Sequence, residues 1–195
     1  MPYEQKNYDA LLGTKGLSDA LLKNHFTLYQ GYVTNTNKVL DTLSQMGRDG
    51  KVGTPEYSEV KRRLGWEFNG MRLHEHYFNN LGGAGGMDKS GPLARKLAAE
   101  FGSYENWEKD FKGTAAMRGV GWAILYQDGD RLINVWINEH DVGHLSGCKP
   151  LLIRDVFEHA FMIDYGLKRV DYIEAFFNNI NWAAVEDRFK APVTA

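Results

Sequence analysis

A single cysteine, Cys148, is all the thiol this chain contains, so it can form no internal disulfide and no thiolate metal site of the zinc-finger kind. A lone thiol fits a reducing compartment, and a cytoplasmic location is expected. Long apolar runs are also missing: none is long enough to span a bilayer, and the opening Met1-Pro2-Tyr3-Glu4-Gln5-Lys6 has no apolar signal core. No membrane association is therefore expected. Charge of one sign is not in excess either. The net charge of −2 offers no basic face, which argues against nucleic acid as a partner. Repeats and low-complexity stretches are absent. Aromatic residues, by contrast, make up 13% of the 195 residues, enough to fill an interior or an interface. That length can bury a real core, as one domain or two small ones.

The first half reads as helix. From Leu17 onward, Leu21, Leu28, Tyr32, Val39 and Leu43 recur at helical spacing, with Ser18 or Asp19 available as a cap. Pro55-Glu56 opens a second long helix whose stripe is Leu64, Phe68, Met71, Phe78 and Leu81, ending at Gly82-Gly83. Two such helices joined by a short turn predict an antiparallel hairpin. The glycine-rich stretch 82–91 reads as a linker. Shorter helices are predicted over 92–101 and 104–117, the second capped by Ser103. The period then changes. Runs over 120–126 and 131–137 flank Gln127-Asp128-Gly129-Asp130, and Asp-Gly between apolar runs signals a hairpin. Residues 151–155 are a third strand, and helices over 171–179 and 182–189 close the chain. The class is α+β, with an N-terminal helical hairpin domain over 1–86 and a C-terminal α/β domain over 87–195.

Pro150-Leu151-Leu152-Ile153-Arg154-Asp155-Val156-Phe157-Glu158-His159 is the stretch that carries chemistry. An apolar run ends in a carboxylate, and a histidine follows four residues later. Asp155 and His159 thus offer one oxygen and one nitrogen ligand on a short piece of backbone. His25 lies on the apolar stripe of the first helix, between Leu21 and Leu28. His74 lies on that of the second, between Met71 and Phe78, while His76 faces nearly the other way. Either histidine alone reads equally well as a core residue satisfied by a neighbour. Together with Asp155 and His159 they make a set of three nitrogens and one oxygen, which suits iron, manganese or zinc. His140 and His144 follow the second strand, where a histidine is ordinarily solvated. Glu158 reads first as a surface carboxylate, and Tyr29 and Tyr32 as core aromatics.

These residues also carry a family pattern. Asp155-Val156-Phe157-Glu158-His159-Ala160 is similar to the Asp-x-Trp-Glu-His-Ala signature of the iron/manganese superoxide dismutases, with Phe157 in place of Trp. Gly119-Val120-Gly121-Trp122-Ala123 resembles that family's Gly-Ser-Gly-Trp. His74 to Leu81, His25-Phe26 with Tyr32-Val33, and the C-terminal segments 171–176 and 178–182 resemble its other conserved stretches, so the likeness runs over nearly the full chain. It implies a helical hairpin followed by an α/β part with a three-stranded antiparallel sheet, and one iron or manganese ion between them. It implies the ligands His25, His74, Asp155 and His159, with a fifth position for water or hydroxide.

The implied activity is disproportionation of superoxide to oxygen and hydrogen peroxide, with superoxide as the small-molecule partner. The implied assembly is a homodimer or a dimer of dimers, in which Glu158 reaches the partner's ligand histidine. Departures from the pattern are specific. The places of the family's solvent-binding glutamine fall on Gly70 and His140, so a histidine replaces it. The histidine and tyrosine that bridge subunits align with Tyr29 and Met162. The spacing from His25 to Tyr32 is one residue short, and without a gap the first ligand position falls on Asn24. His25 is the better ligand. His140 and Tyr32 are the expected outer donors, and Trp122, Phe157 and Phe78 the apolar wall. Two rival readings remain: a zinc hydrolase with three histidines and an activated water, and a non-catalytic metal-binding homologue.

Overall fold

The computed structural model describes residues 1–192. Helix α1 spans Asp19–Arg48, and Ser18 caps it by accepting from the Leu21 amide. Helix α2 spans Pro55–Asn79, with Thr54 accepting from the Tyr57 amide and Pro55 in the first turn. They pack antiparallel. The His25 and His74 rings stand 5.0 Å apart, centroid to centroid. One side of their seam closes very tightly at Gly70, where a Cβ would fall 2.5 Å from Tyr32 Cδ1. Only glycine lets that phenol lie across α2.

Helix α2 stops before the predicted Gly82-Gly83. Asn80 ends it, because its side chain turns into the sheet and donates to the Ile153 carbonyl at 2.7 Å. Residues 82–91 then run without regular structure along the C-terminal segment. Gly83 donates to the Asn179 carbonyl, and a Cβ there would meet the Ile180 oxygen at 2.2 Å.

Helices α3 (Pro92–Phe101) and α4 (Tyr104–Ala115) pack as a pair, α4 ending two residues before the predicted Met117. The sheet follows: β1 Gly121–Asp128, β2 Arg131–Asn138 and β3 Lys149–Asp155, all antiparallel, in the order β2-β1-β3. Strand β3 begins earlier than predicted and contains Pro150. A proline cannot donate to a ladder, but β3 is an edge strand and the register shifts at Leu125/Tyr126, opposite Pro150. Short helix α5 (Met162–Tyr165) and the 3₁₀ turn Glu158–Ala160 carry no sequence period and were not predicted. Helices α6 (Arg169–Asn178) and α7 (Trp182–Lys190) complete the chain. One apolar core joins both halves, from Leu21, Leu22, Met71 and Phe78 to Trp122, Ile153 and Phe176. No helix among the described residues is long and apolar enough to cross a membrane.

Candidate metal centre

Four side chains meet where the hairpin faces the end of β3. His25 comes from α1, His74 from α2, Asp155 from the last position of β3 and His159 from the turn beyond it. One ligand atom from each lies within 4.8 Å of the others. Asp155 Oδ2 is the hub, 3.1 Å from His25 Nε2, 3.6 Å from His74 Nε2 and 3.1 Å from His159 Nε2. Its other oxygen, Oδ1, accepts from the Phe157 amide at 2.8 Å, which fixes the plane of the carboxylate. His25, His74 and Asp155 are fully buried, and His159 is partly exposed. Asn24 is exposed while His25 is buried in the cluster, so the first position of the set belongs to His25.

The chemistry of the set fits a cation. His74 Nδ1 lies 2.6 Å from the Gly70 carbonyl, an acceptor only, so that nitrogen carries the hydrogen. The neutral ring then directs the bare lone pair of Nε2 at Asp155 Oδ2, and Nε2 has no hydrogen-bond partner. Two acceptors facing one another need a positive charge between them. Burial holds His74 well below the usual histidine range and lowers His25 too, so a proton does not readily fill that role at neutral pH. Burial alone would raise the Asp155 pKa, but the neighbouring His159 and His25 hold it well below the usual carboxylate range. Three imidazoles and one carboxylate around one point fit a single iron, manganese or zinc ion.

Aromatic rings enclose the set. Phe78 lies 5.0 Å from His25, Trp122 5.0 Å edge-on to His74, and Phe157 stacks 5.1 Å from His159. Tyr32 stacks on His74 at 5.2 Å. His140 is not the solvated loop residue that its sequence context suggests. It is fully buried and sandwiched against Phe157 at 4.6 Å. Trp122 Nε1 donates to His140 Nδ1 at 3.1 Å, so the neutral ring carries its hydrogen on Nε2 and donates to Tyr32 Oη at 2.7 Å.

Other expected residues lie elsewhere. Tyr29 turns away from the four, donating to Glu75 Oε1 at 3.1 Å and accepting from the Lys6 amide. Met162 is exposed on α5, and so is Glu158. Sequence reasoning missed Trp66, edge-on to His140 at 4.8 Å, and Tyr172, which donates to the Asp155 carbonyl at 3.2 Å. Tyr172 was signalled only by its place on the buried stripe of α6.

Burial pushes His140 down to about 4 from an ordinary 6.5. Below pH 6.5 the unfolded chain takes up a proton that the folded one refuses until about pH 4. Stability from this residue is therefore complete above about 6.5 and is lost as pH falls toward 4, by up to about 3 kcal/mol. Denaturant unfolding of the metal-free protein at pH 7 and pH 5 should show lower stability at pH 5. His140→Gln should make that loss shallower; an equal loss in the variant would contradict this account of His140.

Residues 89–188 match the family described as iron/manganese superoxide dismutases, C-terminal domain. The manganese superoxide dismutase 2 of Haloferax volcanii is 36% identical over 196 residues, covering 99% of this chain and 94% of its own. The iron superoxide dismutase of Aquifex pyrophilus is 34% identical over 199 residues, covering 98% of this chain and 93% of its own. That of Cupriavidus metallidurans is 36% identical over 185 residues, covering 91% of each. With relatives at 34–36% identity along nearly all of both chains, and the family's C-terminal domain matched over residues 89–188, the protein belongs to the iron/manganese superoxide dismutase family.

Proposed function

We propose that the protein disproportionates superoxide, with His25, His74, Asp155 and His159 holding one iron or manganese ion. The observation that carries this reading is the buried lone pair of His74 Nε2, which faces Asp155 Oδ2 at 3.6 Å and has no hydrogen-bond partner. Held by these four residues, the ion would supply one-electron exchange, through which one superoxide would be oxidised to oxygen and a second, with two protons, reduced to hydrogen peroxide. The chain's own residues manage the anion and the protons. Three neutral ligands and one carboxylate leave net positive charge at the centre, which attracts an anion. Phe78, Trp122 and Phe157 exclude bulk water.

Tyr32 is the proton donor. Its oxygen already accepts from His140, so its own hydrogen is free to point at a substrate oxygen. Burial raises its pKa above the ordinary tyrosine value, so the phenol keeps that hydrogen at neutral pH. His140 holds the hydroxyl in place and, being neutral, adds no charge to repel the ion. Named relatives of both metal kinds stand at 34–36% identity, which supports use of either metal. The test is superoxide consumption by protein loaded with iron or with manganese. Activity in neither form would reject the proposal and favour a non-catalytic metal-binding homologue.

The proposal extends to assembly as a homodimer or dimer of dimers, and to a cytoplasmic location, which the lone Cys148 supports. His159 is 28% exposed at its side chain although it borders the buried set, and Glu158 beside it is exposed. Met162, Ile163, Leu167 and Val170 add exposed apolar surface nearby. A second copy related by a twofold axis would cover these residues and let Glu158 accept from the partner's ligand histidine, fixing that ring. Sedimentation at micromolar concentration should give a dimer or tetramer, and Glu158→Gln should shift it toward monomer with about tenfold lower activity. A fully active monomer would reject this assembly.

A further inference from the structure

His144 lies outside the ring of side chains described above, yet it is tied to it by a continuous line of hydrogen bonds. Strand β2 ends at Asn138, and the chain reverses at once. Asn138 and Val142 exchange backbone hydrogen bonds, at 2.9 Å and 3.3 Å, and Glu139 takes a positive φ of 53°. A non-glycine residue in that region is strained unless its surroundings hold it. The Glu139 amide is held by the Val120 carbonyl at 3.0 Å. His140 is the middle residue of this turn, between Asn138 and Val142. His144 Nε2 meets the His140 carbonyl at 2.9 Å.

The roles of the atoms follow from what each can do. A carbonyl only accepts, so His144 Nε2 carries a hydrogen and donates. In the neutral ring Nδ1 is then an acceptor, and Tyr126 Oη lies 2.7 Å from it. Tyr126 is buried within β1, four residues from Trp122 and on the same face of the strand. One face of one strand therefore grips His140 twice. Trp122 holds its ring directly, and Tyr126 holds its backbone through His144. Burial raises the Tyr126 pKa above the ordinary tyrosine value, so its hydroxyl stays a donor.

We propose that His144 is a positioning residue for the proton-handling pair His140 and Tyr32, and that Tyr126 fixes the tautomer in which His144 does this. The Tyr126–His144 pair sets where the His140 backbone sits. That backbone sets whether Nε2 reaches Tyr32 Oη at 2.7 Å. A displacement of even an ångström would lengthen that bond beyond useful range. A loop histidine that merely ties down a carbonyl would stabilise the turn and do nothing more. Here the carbonyl belongs to the residue whose ring orients the phenol.

This inference rests on the role given to His140 above, and a double-mutant cycle separates the two. His140→Ala, His144→Ala, His144→Gln and Tyr126→Phe are each made alone, and His144→Ala is also combined with His140→Ala. The iron-loaded protein is titrated with azide as a small-anion probe, and the reduction potential of its iron is measured. Loss of His144 should weaken azide binding about tenfold and shift the potential. Glutamine can donate to the His140 carbonyl and accept from Tyr126, so His144→Gln should restore both readouts to within about twofold. Tyr126→Phe keeps the ring packing and should give a change of about threefold in the same direction, which keeps the test open if His144→Ala does not fold. On the His140→Ala background, removing His144 should add nothing. If His140→Ala shifts the readouts while His144→Ala and Tyr126→Phe do not, the positioning role is wrong and His140 keeps its part. The role is also wrong if the His144→Ala effect persists undiminished without the His140 ring. If His140→Ala itself moves neither readout, the role assigned to His140 fails first.

Discussion

Asp155→Ala is expected to abolish tight metal binding and, with it, superoxide consumption. Oδ2 of this one residue is the shared neighbour of all three histidine Nε2 atoms, at 3.1, 3.6 and 3.1 Å. It is also the only carboxylate of the set, and burial keeps the His25 and His74 rings beside it neutral. Without it, three uncharged nitrogens would have to hold a trivalent cation inside an apolar wall, where the cost of an uncompensated charge is highest. The loss in metal affinity should exceed the roughly hundredfold that outer partners of a metal site typically contribute. Asp155→Asn isolates the charge, since its side-chain oxygen can still accept from the Phe157 amide. It should stay folded and still lose the ion. Elemental analysis of the purified variants decides the matter: full metal content in either one would place the ion elsewhere.

His140→Gln should leave the four ligands occupied and change what the bound metal does. The histidine donates to Tyr32 from Nε2 and accepts from Trp122 at Nδ1, and both edges of the ring are used. A glutamine amide can donate to Tyr32, but its reach and its acceptor geometry toward Trp122 differ. The Tyr32 hydroxyl would shift, the reduction potential should move, and the ratio of activities between the iron and manganese forms should change by about tenfold. Unchanged potential, pH dependence and metal ratio would make His140 a packing residue and leave Tyr32 to act without it.

Much of this could be read from the chain because the responsible signals are local. The hairpin of α1 and α2 follows from apolar residues at helical spacing, and the same spacing aims His25 and His74 at the seam. Asp-Gly between two apolar runs gave the β1–β2 turn. What could not be read depends on contacts distant in sequence. Nothing in Asn138-Glu139-His140-Asp141 says that the end of β2 folds back beneath Trp122, 18 residues earlier, so His140 and His144 both looked solvent-facing. The early stop of α2 comes from an asparagine reaching across 73 residues to Ile153. Tyr29 could be aligned with a bridging position, but its real partner, Glu75, lies on the face of α2 that is turned from the ligands. Helix α5 has four residues, too few for a period to register.

The most direct test is to load the metal-free protein separately with iron, manganese and zinc and to measure both bound metal and superoxide consumption. A redox centre built from His25, His74, Asp155 and His159 predicts one ion per chain in every case, activity with iron or manganese, and none with zinc. Superoxide consumption by the zinc form, or none with either iron or manganese bound at one ion per chain, would contradict it.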